Sequence, residues 1–304
     1  MVVLGRRRVR PVALLLWALC ATLLSGCAWL DLQQRQAALR PTPGRPAGFE
    51  PGSAYEQARF HPGDQRWTLQ VPAAEPSGDA ARTEALALWW LPHANPDAPT
   101  LLYLHGTFRN LYQNLSKINA LREAGFAVLA VDYRGWGESA AIVPSEASID
   151  ADAAVAWAEL VRRQPLPQRR VVFGHSMGGA VAVTLASTLQ GGRDYAALVL
   201  ESTFTRMPDV AAAAGFWGRL AAAVTTLQFD SLSRIGRIDA PLLMLHGTAD
   251  RTVPIELGRR LRDAAPAGVR WVEVPGGSHS RLHTEAPERY RQAFHELLQA
   301  LPTP

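Results

Sequence analysis

Cysteine is nearly missing from this chain, with two in 304 residues, Cys20 and Cys27, both close to the N-terminus. The body of the protein therefore has no disulfide framework and no Cys-based metal cluster to lean on, and must hold itself together by its core. Lysine is scarcer still, Lys117 being the sole one among arginines, which reflects a GC-rich genome more than a function. Net charge is also small. There are 31 basic against 27 acidic residues, and the four arginines at positions 6, 7, 8 and 10 account for the excess. Without a basic stripe or a recognition motif, nucleic-acid binding loses its support. No internal repeat, phosphate-binding loop or metal-ligand spacing is visible, so neither a metal nor an organic cofactor is expected. The longest apolar run, Val12 to Leu24, is too short to span a bilayer comfortably.

What is present is one stretch with a clear chemical meaning, Val171-Val172-Phe173-Gly174-His175-Ser176-Met177-Gly178-Gly179. An apolar strand gives way here to a small-residue helix, with a serine framed by glycines at the turn. This is the G-x-S-x-G nucleophile elbow: small neighbours let the backbone pass close enough to hold the serine in a strained conformation, its hydroxyl projecting from the sheet edge. A serine hydroxyl is a weak nucleophile until a base takes its proton and a third group orients that base. Two candidates follow in order. Leu242 to His246 reads as a buried strand leading into a loop that carries Asp250, and Val269 to Val274 reads as the next strand, followed by Pro275-Gly276-Gly277-Ser278-His279. The order Ser176, Asp250, His279 is that of the α/β-hydrolase fold, each residue lying just past a strand's C-terminal end, where ligands bind in open α/β sheets. His283 remains a rival base and Glu201 a rival acid, while His105 and His246, each preceding a glycine after a strand, read as groups that shape loops by bonding backbone. The oxyanion of a tetrahedral intermediate needs two backbone donors, expected from Met177 and, in the loop after an earlier strand, from Thr107.

Five segments together resemble a known family: His105-Gly106-Thr107-Phe108-Arg109-Asn110, Asp132-Tyr133-Arg134-Gly135-Trp136-Gly137-Glu138-Ser139, Gly174-His175-Ser176-Met177-Gly178-Gly179, Glu201-Ser202-Thr203-Phe204-Thr205 and His246-Gly247-Thr248-Ala249-Asp250. Over about residues 65 to 300 the chain resembles α/β-hydrolases of the Bem46 and ABHD13/ABHD17-like group, close to the serine aminopeptidase (S33)-like hydrolases. The resemblance implies a serine hydrolase acting on esters or thioesters, with Ser176, Asp250 and His279 at the family's triad positions. Two departures concern substrate shape: Thr107-Phe108-Arg109 stands where relatives have smaller residues, and Ser280-Arg281 follows the histidine in place of an Asn-Asp-like pair.

Arg6, Arg7, Arg8 and Arg10 followed by the apolar run read as a signal peptide over residues 1–26. Leu24-Ser25-Gly26-Cys27 resembles the bacterial lipobox, which implies cleavage before Cys27 and its diacylation, hence stable anchoring in a membrane of the cell envelope. An uncleaved signal anchor is the alternative. Ala28, with no acidic residue in its place, resembles lipoproteins sorted to the outer membrane, facing the periplasm.

Residues 27–64 carry Pro, Gly, Ala and Arg without apolar periodicity and read as a tether, apart from a short helix near Asp31 to Leu39. Residues 65–304 read as one α/β domain, about 240 residues, enough for an unstapled core. Strands are predicted at Trp67–Val71, Ala85–Leu91, Thr100–His105, Ala127–Asp132, Arg170–Gly174, Ala197–Glu201, Leu242–His246 and Val269–Val274. Helices are predicted at Asn114–Ala124, Ala147–Arg163, Met177–Leu189, Glu256–Ala264 and Thr284–Leu301. That pattern is a mostly parallel eight-stranded sheet flanked by helices. The stretch at about 203–240 is only a minimal cap, with Ala211 to Thr226 as one or two helices. Its Phe204, Met207, Phe216, Trp217, Leu220 and Phe229 are candidates for an acyl pocket or for core packing. The sequence thus predicts a membrane-anchored serine hydrolase of small acyl esters or thioesters. An aminopeptidase-like peptidase and a non-catalytic binding lipoprotein are the alternatives, and the oligomeric state is not indicated.

Overall fold

The computed structural model describes residues 26–74 and 82–302. The signal peptide expected over residues 1–26, Cys20 included, lies outside them except for Gly26. Eight strands form one sheet: β1 (Gln65–Pro72), β2 (Thr83–Leu91), β3 (Thr100–Leu104), β4 (Ala127–Asp132), β5 (Arg170–His175), β6 (Ala197–Glu201), β7 (Leu242–Gly247) and β8 (Arg270–Val274). Their spatial order is β1-β2-β4-β3-β5-β6-β7-β8. β2 runs antiparallel to both β1 and β4, and from β4 to β8 every pairing is parallel. Strands β3 to β7 are apolar nearly throughout because helices cover both faces of the sheet, the usual reason parallel strands read as unbroken hydrophobic runs.

The helices follow from their caps. Asn110 and Gln113 form a reciprocal capping box for α3 (Leu111–Glu123), so that helix starts three residues before the predicted Asn114. Asp132, at the end of β4, reinforces the start by accepting the Leu111 N–H at 2.9 Å. Ser145 and Ser148 cap α4 (Glu146–Arg163) in the same way. The helix after the elbow, α5 (Met177–Ala186), stops before the predicted Leu189: the hydroxyls of Ser187 and Thr188 turn back on the carbonyls of Thr184 and Leu185. The predicted C-terminal helix is divided into α9 (Leu282–Glu285) and α10 (Pro287–Ala300). Pro287 drives its predecessor out of the helical region, with Ala286 at φ −140° and ψ 60°.

Two apolar clusters sandwich the sheet. On one face Ala153, Ala156 and Leu160 of α4, Val181 of α5 and Leu257 and Leu261 of α8 (Ile255–Asp263) meet Leu102, Leu129, Val172 and Leu198. On the other, Leu115, Ile118 and Leu121 of α3 and Phe294 and Leu297 of α10 meet Leu101, Tyr103, Phe173 and Val199. The cap is a pair of short helices, α6 (Met207–Ala213) and α7 (Phe216–Val224). Phe204 and Phe229 are buried in the core, whereas Phe216, Trp217 and Leu220 are exposed.

The tether predicted for residues 27–64 needs correction. Residues 26–39 form a helix, α1, and from Leu39 onward the segment is packed on the domain, with Leu39, Phe49 and Glu56 buried. Backbone bonds do much of the work: Gly44 N–H to Gly137 O at 2.6 Å and Gly137 N–H to Thr42 O at 3.0 Å. The Arg45 guanidinium binds Glu138 at 2.7 Å and Glu56 at 2.9 Å, Glu56 belonging to the short helix α2 (Ala54–Gln57). A segment fastened by main-chain bonds, ion pairs and a few isolated apolar anchors such as Leu39 and Phe49 needs no apolar periodicity, which is why its composition resembles a linker.

Candidate active site

Ser176 closes β5 and opens α5 with φ 56° and ψ −122°, a conformation that costs a non-glycine residue about 1–3 kcal/mol and persists only where the surroundings enforce it. The enforcing contacts are backbone. A Cβ on Gly174 would lie 2.2 Å from Gly178 O, and one on Gly178 would lie 2.1 Å from Leu104 O. Strand β3 can approach the elbow this closely only because position 178 is glycine, and the first turn of α5 can fold back on β5 only because position 174 is. The Ser176 N–H donates to Glu201 O at 2.9 Å and the Thr203 hydroxyl donates to Ser176 O at 2.9 Å, tying the elbow to the end of β6. Although Ser176 occupies the N-cap position of α5, its side chain makes no capping bond. Its hydroxyl is directed elsewhere.

His279 Nε2 lies 2.9 Å from Ser176 Oγ, and His279 Nδ1 lies 2.7 Å from Asp250 Oδ2. The three side chains are buried and come from the ends of β5, β7 and β8. The other Asp250 oxygen accepts the N–H groups of Thr252 at 2.9 Å and Val253 at 2.8 Å. Burial opposes ionisation of Asp250. The hydrogen bonds from His246, His279 and Val253 outweigh it and hold the carboxyl well below the usual range, so it is an anion beside His279. An ionised carboxylate accepts, so the His279 Nδ1 carries a proton and its Nε2 faces the Ser176 hydroxyl as an acceptor.

The neighbouring histidines serve as braces. His175 Nε2–H donates to His279 O at 2.9 Å, and burial together with the Lys117 charge keeps this ring neutral, its pKa well below the ordinary histidine value. His246 Nε2–H donates to Val253 O at 2.9 Å, supporting the loop that carries Asp250. His105 Nδ1–H donates to Gly106 O at 2.6 Å, and burial lowers the pKa of this ring to about 4. The last contact orients the loop containing Thr107. Neither Thr107 N–H nor Met177 N–H has a hydrogen-bond acceptor among the described residues, and Thr107 and Ser176 line one small cleft.

Both rivals are engaged elsewhere. Glu201 is fully buried, paired with the Lys117 ammonium on one oxygen and accepting the Tyr290 hydroxyl at 2.9 Å on the other. His283 Nε2 meets Ser116 Oγ at 3.2 Å, and burial lowers its pKa to about 4. The Lys117–Glu201 pair, 84 residues apart in sequence, is a structural feature of the site's rear wall that sequence reasoning missed; a lone lysine on the buried face of α3 was the available signal. Among the described residues no group of three or more His, Cys, Asp or Glu side chains is placed to hold a metal ion. Nor is any helix among them long and apolar enough to cross a membrane.

Comparison with known proteins agrees with this architecture. Residues 95–234 match the family described as serine aminopeptidase, S33. An uncharacterised protein of Mycobacterium tuberculosis is 36% identical over 194 residues, covering 63% of this chain and 67% of that protein. The zebrafish (Danio rerio) lysophosphatidylserine lipase ABHD12 is 31% identical over 194 residues, covering 59% of this chain and 50% of the lipase. Among solved structures, the Pyrococcus furiosus esterase Pf2001 superposes with a TM-score of 0.64 at 18% identity, covering 86% of this chain and 97% of the esterase, a likeness of fold. Strand order, an elbow serine hydrogen-bonded to a histidine, and relatives of this kind lead to one assignment: the chain belongs to the α/β-hydrolase superfamily and is a serine hydrolase.

Proposed function

We propose that this protein is a membrane-anchored hydrolase of carboxylic esters or thioesters that works through Ser176, His279 and Asp250. The observation that carries the reading is the unbroken row from Asp250 through His279 to Ser176, at 2.7 Å and 2.9 Å. As Ser176 Oγ attacks the substrate carbonyl, His279 Nε2 takes its proton, and the N–H groups of Met177 and Thr107 receive the oxyanion. The intermediate collapses to an acyl-enzyme, His279 returning the proton to the departing alcohol or thiol. Water then repeats the sequence and releases the acid. Asp250 holds His279 in the productive tautomer and stabilises its cation. His175 and His246 are positioning residues.

Esters are favoured over aminoacyl substrates because a free α-amine would need an uncommitted carboxylate. In the cap, Asp209 accepts the Thr205 hydroxyl and lies 3.8 Å from Arg206, and Asp230 accepts the Ser233 N–H, so each is already partly engaged. Turnover of p-nitrophenyl esters of graded acyl length against aminoacyl anilides tests this. Hydrolysis of the esters alone is expected, and hydrolysis of the anilides alone would replace the reading with a peptidase.

Anchoring is assigned to acylated Cys27, in the outer membrane of a bacterial envelope. Cys27 is exposed at the start of α1, near exposed Trp29 and Leu30. Helix α1 is fastened to the end of α7 by Thr226 Oγ–H to Asp31 Oδ1 at 2.6 Å and Gln34 Nε2–H to Val224 O at 3.2 Å. On that same α7, Phe216, 66% exposed, and Trp217, 78% exposed, are apolar groups that suit an apolar headgroup boundary. Palmitate labelling and fractionation of wild type and Cys27→Ala check this assignment. Label and membrane association should both be lost in the variant, and retention of both would contradict it.

A further inference from the structure

Arg109 stands two residues beyond Thr107, half-buried, and has no carboxylate partner among the described residues. Its guanidinium lies 5.7 Å from the centroid of the Phe108 ring. Buried arginines elsewhere have their donors met: Arg134 lies on Glu84 and Asp152, Arg122 on Asp64, and Arg170 on the carbonyls of Gln164, Pro165 and Asp194. A partly desolvated guanidinium without a counter-ion is unfavourable for the free protein and becomes favourable when an anion arrives.

Arg109 borders two spaces. One is the small cleft over Ser176, which it shares with Gly106, Thr107 and His279. The other is an adjoining cavity of about 240 Å³, also lined by Lys117, Arg281 and His283, with Asn114 and Ser280 common to both. No aspartate or glutamate lines this cavity. The charge of Lys117 is met by Glu201 behind it. Arg281 reaches Glu285 only at 3.7 Å, and both oxygens of that carboxylate are already occupied by the Ser278 N–H at 2.7 Å and the Ser278 hydroxyl at 2.9 Å. His283 has a buried Nδ1 with no hydrogen-bond partner among the described residues. The space next to the nucleophile is therefore rimmed by two arginines with spare donors and by an unsatisfied ring nitrogen.

We propose that this cavity is an anion subsite in which Arg109 and Arg281 bind a carboxylate or phosphate carried by the substrate, so that the enzyme selects acidic esters over neutral ones. The proposal rests on Ser176 being the nucleophile and adds the substrate class. A carboxylate or phosphate accepts two parallel N–H bonds from a guanidinium, fixing the acidic end while the carbonyl lies over Ser176. Such a group occurs both on lipids and on soluble metabolites, and the two sources differ in what the rest of the substrate is.

The test compares two matched pairs: 1-acylglycerol with 1-acylglycerol 3-phosphate of the same chain length, and p-nitrophenyl butyrate with the mono-p-nitrophenyl ester of glutaric acid. In each, the measured quantity is the ratio of kcat/KM for the acidic ester to that for the neutral one, in which any general disturbance of the neighbouring oxyanion loop cancels. The wild type should favour the acidic member, and Arg109→Gln should lower the ratio roughly ten- to a hundredfold, the effect of removing a charge-assisted hydrogen bond. Arg109→Lys should restore part of it, and Arg281→Gln should cost less because that side chain is more exposed. The pair with the larger ratio identifies a lipid or a soluble source. A ratio of one or below in both pairs, or one that Arg109→Gln leaves unchanged, overturns the proposal. Should no ester be turned over and no fluorophosphonate react, the hydrolase reading fails separately. Calorimetric titration of Ser176→Ala protein with glycerol 3-phosphate and glutarate then decides: binding abolished by adding Arg109→Gln supports the subsite, and absence of binding overturns it.

Discussion

Gly178→Ala isolates the link between fold and chemistry, because it adds one methyl group where the elbow crosses strand β3. The new Cβ would sit 2.1 Å from Leu104 O and 2.5 Å from His105 O, both backbone atoms at the end of a buried strand. A tolerable carbon–oxygen contact is about 3.3 Å, so elbow and strand must part by roughly 1 Å. Overpacking of this kind costs about 1–3 kcal/mol of stability. The same displacement moves Met177 N–H away from Thr107 N–H, which follows His105 by two residues, and misplacement by 1 Å is worth about a hundredfold in rate. Urea unfolding should show the loss of stability, and steady-state hydrolysis of a p-nitrophenyl ester should show kcat falling about a hundredfold in protein that remains folded. Gly236→Ala is the control, since its Cβ would meet nothing nearer than Ala264 O at 3.6 Å. If Gly178→Ala matched the control in both measurements, close approach of the two backbones would not be what sets the oxyanion donors.

Two further outcomes follow from the buried acids. Asp250→Asn keeps the shape but removes the anion that fixes the His279 tautomer, so kcat at pH 7 should fall about 10⁴-fold while fluorescence and circular dichroism stay native; a loss of less than tenfold would show that the carboxylate is dispensable. Burial raises the Asp132 pKa from 3.8 to about 8, so between those values the folded protein holds a proton that the unfolded chain has released. Stability must therefore decline as pH rises through that window, by up to about 1.4 kcal/mol per pH unit. Unfolding free energies measured from pH 5 to 8 should show a shallower decline in Asp132→Asn, and equal slopes would place the titration elsewhere.

Much of this architecture is legible in the sequence because parallel strands covered on both faces must be apolar along their whole length. The runs Leu101 to Leu104, Val171 to Phe173 and Leu242 to Leu245 could hardly be anything else, and their ends carry His105, Ser176 and Asp250. Chain order then brings Ser176, Asp250 and His279 into one row without knowledge of any contact. Three features escaped. Residues 40–62 dock through main-chain bonds such as Gly44 to Gly137, which leave no trace in side-chain pattern. The Lys117–Glu201 pair joins a helix to a strand far along the chain, and pairing at that separation has no local signal. Arg109 reads as one arginine among many until the structure reveals that Lys117 beside it is met by Glu201 while Arg109 has no acid partner among the described residues.

The most direct measurement is fluorophosphonate labelling of the protein followed by identification of the labelled peptide, with Ser176→Ala and His279→Ala treated alongside. The account expects wild-type protein to be labelled at Ser176, with no label in Ser176→Ala and sharply reduced label in His279→Ala. Folded wild-type protein that stays unlabelled, or a label carried by another serine, would contradict it.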